Sequence, residues 1–82
     1  MKSVLIIDDL SFVRWSIRNI ITKHGYEVVC EDSNGKRGVE LFENYHPDIV
    51  TMDFVVDDMN SMDALHKITK IDSDTNFIVE QH

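Results

Sequence analysis

The chain has 82 residues, enough for one small domain, with 43% hydrophobic and 28% charged residues, a globular composition and not a disordered one. Fifteen Asp and Glu against eight Lys and Arg leave a net charge of −7. That balance argues against a nucleic-acid groove, which needs clustered positive charge, and against an anionic membrane surface as partner.

The first apolar run, Val4-Leu5-Ile6-Ile7, has no polar alternation and reads as a strand, Ser3–Ile7, covered on both faces. It stops at Asp8-Asp9. Ser11 is a plausible N-cap for a helix over 12–24, with Val13, Ile17, Ile20 and Ile21 along one face. Gly25 suits the position just past that helix, and Lys23 and His24 suit its negative end. A second strand is expected over 26–30, then turn chemistry at Asp32-Ser33-Asn34-Gly35. A second helix over 36–45 should bury Val39 and Phe42, with Leu41 near the edge of that face; Gly38 inside it costs about 1 kcal/mol relative to Ala. Pro47 precedes a third strand over 48–52, which ends at Asp53. Residues 55–61 read as a loop, and 62–71 as a third helix with Ala64, Leu65, Ile68 and Ile71 inward. Phe77-Ile78-Val79 is the fourth strand. This strand–helix alternation implies an α/β fold with a parallel sheet and right-handed crossovers.

The single cysteine, Cys30, excludes an internal disulfide and a cysteine-based zinc site. No apolar run approaches the roughly 20 residues of a membrane-spanning helix. Aspartates interrupt the N-terminal apolar stretch too early for a signal peptide. The default expectation is a soluble cytoplasmic protein.

Ligands of parallel α/β sheets bind outside the carboxyl ends of the strands. Asp8 and Asp9 sit at that end of the first strand and Asp53 at that end of the third. If those strands are neighbours, three carboxylates converge, and a hard cation such as Mg²⁺ would relieve their repulsion. A carboxylate beside Mg²⁺ is also a nucleophile towards phosphorus. A blander reading is open too: an acidic pair after a strand often only complements a helix N-terminus. The four histidines have no close metal-ligand spacing, and no glycine-rich phosphate loop or nucleophile elbow is present.

Val4-Leu5-Ile6-Ile7-Asp8-Asp9, Gly25-Tyr26-Glu27-Val28-Val29, Asn34-Gly35 and Pro47-Asp48-Ile49-Val50-Thr51-Met52-Asp53 together resemble the response-regulator receiver domain, in order and at family spacing over residues 1–82. The stretch around 11–21 is most similar to the single-domain chemotaxis type. The resemblance implies a flavodoxin-like doubly wound parallel sheet, here of about four strands and three helices. It implies two-component signalling, with Asp53 as phosphoacceptor for a histidine kinase or phosphotransfer domain. It also implies Mg²⁺ held by Asp9 and Asp53 directly, by Asp8 through water, and by the backbone carbonyl of Val55.

The chain departs from the family in several places. The usual Met-Pro-x-Met-Asp-Gly loop reads Val56-Asp57-Asp58-Met59-Asn60-Ser61, and Gln81 occupies the Ser/Thr switch position. A receiver ordinarily continues past the point of His82 with a helix, a strand bearing a phosphate-contacting lysine, and a last helix. Those differences leave an alternative, a non-phosphorylated receiver-shaped module acting by dimerisation or protein contact. Uncovered apolar sheet and an unpaired final strand lead us to expect either a homo-oligomer, a dimer formed by edge pairing or element exchange, or a fragment of a longer protein. Trp15, between Arg14 and Arg18 on the first helix, is a candidate docking site for the kinase side. Under either reading the chain is a signalling domain and not an enzyme in its own right. A haloacid-dehalogenase-type phosphatase would need its two aspartates two residues apart, whereas Asp8 and Asp9 are adjacent.

Overall fold

The computed structural model describes residues 1–56 and 59–80. In chain order the elements are β1 (Ser3–Ile7), α1 (Ser11–Lys23), β2 (Glu27–Asp32), α2 (Gly35–Tyr45), β3 (Ile49–Asp53), β4 (Val55–Val56), β5 (Met59–Asn60), α3 (Ser61–Ile71) and β6 (Asn76–Glu80). Four of the strands form one parallel sheet in the order β2-β1-β3-β6. The chain runs from β1 to one side, then returns past β1 to build the other side. Neighbours β1 and β3 therefore flank the point where the winding reverses, which is where α/β sheets bind ligands.

β1 is central, and its unbroken apolar run is the consequence: Val4, Leu5, Ile6 and Ile7 are all buried. The pleat sends them to opposite faces. Leu5 and Ile7 join Val39 and Phe42 of α2, Val50 and Met52 of β3, and Ala64 and Ile68 of α3 in the main core. On the other face, Val4, Ile49, Thr51 and Ile78 share a groove of about 210 Å³ with Ile21 and Tyr26. α2 and α3 thus cover one face, and α1 lies against the other.

Local chemistry explains most element ends. Asn34 caps α2 by accepting from the Arg37 N–H at 2.9 Å, and Asn60 caps α3 by accepting from the Asp63 N–H at 2.9 Å. Gly25 takes φ 87° just past α1, as a left-handed turn residue must. Gly38 faces β1, where a Cβ would run into the Ile7 side chain. The helical penalty of that glycine is the condition for close helix–sheet packing.

Some expectations need correction. Ser11 is not the N-cap of α1: Leu10 holds that position, no side chain caps the helix, and Ser11 is its first residue. Ile20, expected inward, is 60% exposed, because α1 turns the half-buried Val13, Ile17 and Ile21 to the sheet and, among the described residues, no other helix covers its flank. Ile71 is 38% exposed at the last position of α3, where it lines an open cleft with Val39 and Met59. Stretch 55–61 is not simply a loop: β4 and β5 pair antiparallel, Val55 with Asn60 and Val56 with Met59. β2 reaches Asp32, two residues past the expected end, with a register shift where it pairs with Val4 and Leu5 of β1.

Candidate metal and phosphoryl site

The sheet brings together the three carboxylates picked out in the sequence. One ligand atom from each of Asp8, Asp9 and Asp53 lies within 4.8 Å of the others. Asp8 is fully buried, whereas Asp9 and Asp53 are half-buried at the rim. The adjacency of β1 and β3 produces this cluster, with Ile7 paired beside Met52 one residue before each acidic end.

Asp8 is held from several directions. Its N–H donates to the Asp32 carbonyl at 3.0 Å, carrying the β1–β2 ladder one step past the strand. Its Oδ1 accepts from the Leu10 N–H at 2.9 Å, which turns the chain into α1. Beyond Asp53, the Phe54 N–H donates to the Glu80 carbonyl at 2.9 Å, and the Phe54 carbonyl accepts from the Ser61 N–H at 2.8 Å. The residue after the phosphoacceptor candidate is thereby tied to β6 and to the start of α3.

Like charges this close raise the free energy of the metal-free site, and a divalent cation removes that cost. The donor set consists of carboxylate oxygens, few enough to leave room for water ligands. Mg²⁺ prefers that arrangement, and the residues present fit it. Val55, whose carbonyl is the fourth expected ligand, opens β4 two residues past Asp53. Asp57, Asp58 and Gln81, which carry the loop and switch departures, lie outside the described residues.

The docking candidate is organised differently from the sequence reading. Trp15 is 53% exposed and stacks on Phe12, itself 73% exposed, with ring centroids 6.2 Å apart and an interplanar angle of 27°. Arg14 and Arg18 do not flank it as free cations. Both reach across to Glu31 on β2, with Arg14 Nε 3.4 Å and Arg18 Nη1 2.5 Å from its carboxylate oxygens. Sequence reading missed Glu31 altogether. The available signal was its place near the carboxyl end of the second strand, on the edge that carries the aspartates.

Cys30 is half-buried, and burial, with the nearby Asp32 carboxylate second, pushes its thiol up to about 11. At neutral pH it is a protonated packing residue.

The model of the response regulator receiver domain family matches residues 4–80. The chain is 49% identical over 78 residues to the chemotaxis protein CheY of Thermotoga maritima, covering 95% of this chain and 65% of that protein. It is 41% identical over 76 residues to CheY of Bacillus subtilis, covering 93% and 63%. The chain thus spans a little under two thirds of the length of these curated relatives. Among solved structures, the CheY in the CheX-CheY-BeF3-Mg²⁺ complex from Borrelia burgdorferi superposes with a TM-score of 0.92 at 27% identity, covering 98% of this chain and 61% of that one. The response regulator domain of Thermotoga maritima CheB superposes with a TM-score of 0.90 at 30% identity, covering 99% and 60%.

Proposed function

The chain belongs to the response regulator receiver family, and we propose that within it Asp53 accepts a phosphoryl group from the phosphohistidine of a histidine kinase or phosphotransfer domain. The observation carrying this reading is the convergence of Asp8, Asp9 and Asp53 within 4.8 Å at the switch point of the sheet. An Asp53 carboxylate oxygen attacks phosphorus, the phosphorus–nitrogen bond breaks, and its electron pair stays on the imidazole. Asp9, Asp53 and the Val55 carbonyl would hold Mg²⁺, with Asp8 as the further carboxylate of the set. The ion supplies charge neutralisation for the transferring phosphoryl oxygens. Asp8, buried and fixed by the Leu10 and Asp32 backbone, keeps the cluster from splaying apart. The exposed Phe12–Trp15 pair beside this edge is the surface on which the phosphate donor docks. The reading is of a cytoplasmic signal transducer, and no helix among the described residues is long and apolar enough to cross a membrane.

The test is the intact mass after treatment with acetyl phosphate and Mg²⁺. A phosphate-sized gain is expected in the native chain and none in Asp53→Asn. Asp9→Ala should require far more Mg²⁺ for the same gain. A gain that persists in Asp53→Asn overturns the assignment.

A second reading concerns association. Among the described residues β6 has a hydrogen-bonded strand on one side only, with Ile78 50% and Val79 40% exposed. Such an edge is a template for pairing with a second copy. A homodimer joined there, with or without phosphorylation, predicts twice the monomer mass by light scattering and loss of that species in Ile78→Lys. A native chain that stays monomeric at high concentration refutes it.

A further inference from the structure

We propose that Arg14 is a positioning residue for the metal site, oriented by Glu31. This rests on the reading of Asp8, Asp9 and Asp53 as a cation site. The main-chain carbonyl of Asp8 belongs to the peptide unit that joins the two ligand residues Asp8 and Asp9. Arg14 Nη1 donates to that carbonyl at 2.5 Å. The same guanidinium, through Nε, lies 3.4 Å from Glu31 Oε1, and Arg18 Nη1 holds the other oxygen, Glu31 Oε2, at 2.5 Å. A continuous path therefore runs from β2 through Glu31 and Arg14 to the peptide plane between the aspartates.

The geometry assigns a function to each contact. The Asp8 N–H is fixed by Asp32 and its side chain by Leu10, which leaves the Asp8–Asp9 peptide plane as the degree of freedom that aims Asp9. A guanidinium is planar and donates in fixed directions, so one face of the fork can hold a carbonyl while another holds a carboxylate. The Arg14 side chain is only 19% exposed and that of Glu31 26%, so the contacts are partly shielded from water. Glu31 also offsets the arginine charge, so Arg14 stands near the cation site without competing with the cation. Rotation of the plane would carry the Asp9 carboxylate away from Asp53, because Asp9 sits in the turn after β1 whereas Asp53 ends β3. Removing a group that orients metal ligands in this way typically costs about 10–100-fold in metal affinity.

The experiment is Mn²⁺ binding to the full chain, read from the electron paramagnetic resonance of free Mn²⁺, with urea stability measured separately in EDTA. Arg14→Ala should weaken Mn²⁺ binding by about 10-fold. Arg14→Lys, which keeps one donor for the carbonyl, should recover part of the loss. Glu31→Gln is nearly isosteric and spares the fold if Arg14→Ala does not, and it should weaken binding in the same direction by less. A folded Arg14→Ala or Glu31→Gln protein that loses stability but binds Mn²⁺ like the native chain shows a merely structural role and overturns the proposal. Asp9→Ala separates this from the premise: if Asp9→Ala loses binding and both latch variants keep it, only the latch is wrong. If the native chain binds no Mn²⁺, the cation site falls and the latch falls with it.

Discussion

Gly38→Ala sets two effects of known sign against each other. In an open helix the change is stabilising by about 1 kcal/mol, since glycine costs that much relative to alanine. Gly38 is buried against β1, and the new Cβ would lie 2.8 Å from Ile7 Cγ1 and closer still to Cδ1. Ile7 is fully buried among Val39, Met52 and their neighbours, so its side chain has nowhere to go. Overpacking of a tight core costs about 1–3 kcal/mol, so the net effect is a loss of roughly 1 kcal/mol. Ile7→Val removes Cδ1 and on its own costs about 0.5–1.5 kcal/mol. In the double variant the losses should fall short of additive by about 0.5 kcal/mol, because the closest clash, with Cδ1, is gone and only Cγ1 at 2.8 Å still has to shift. Ile7 directly precedes Asp8, so the same displacement should also weaken divalent-cation binding by Gly38→Ala. The assay is equilibrium urea unfolding of the four proteins in EDTA, followed by Mn²⁺ titration. A Gly38→Ala protein more stable than the native chain by the full helical increment would refute the steric reasoning.

Other outcomes follow from single groups. The Ser61 hydroxyl is fully buried without a hydrogen-bond partner among the described residues, so Ser61→Ala should stabilise the fold by about 1 kcal/mol; a clear loss in urea unfolding would contradict this. Cys30, with its thiol pushed up to about 11, should react with iodoacetamide slowly at pH 8 and much faster in urea; equal rates would show that the thiol is not shielded. Asp48 accepts from the Ser3 N–H at 2.9 Å and from the Ser3 hydroxyl at 3.2 Å, and these bonds hold its carboxyl below the ordinary 3.8. A carboxyl lowered on folding stabilises above its unfolded value and loses that contribution as pH falls through the folded one. Asp48→Asn should therefore flatten the stability profile below about pH 4 and change it little in slope near neutrality; an unchanged acid limb would refute the contact.

The sequence by itself determined the order of elements, because that order rests on local physics. An apolar run without alternation, Val4 to Ile7, is readable as a strand covered on both faces, and the spacing of Val39 with Phe42, or Ala64 with Ile68, marks a helix face. The three aspartates were also legible, since a parallel sheet sends the ends of β1 and β3 to one edge. Tertiary structure decided what depends on who the neighbours are. Ile20 and Ile71 have the right period for burial, yet the packing leaves Ile20 60% and Ile71 38% exposed, so periodicity placed them inside and tertiary contacts did not. Gly38 looked like a local cost until Ile7 was set against it. Arg14 and Arg18 read as a charged surface beside Trp15, and Glu31 as an unremarked residue of β2. Only the docking of α1 on β2 joined those three charges into a link to the Asp8–Asp9 peptide, because ion pairs between segments 13 or more residues apart leave no local signature in the chain.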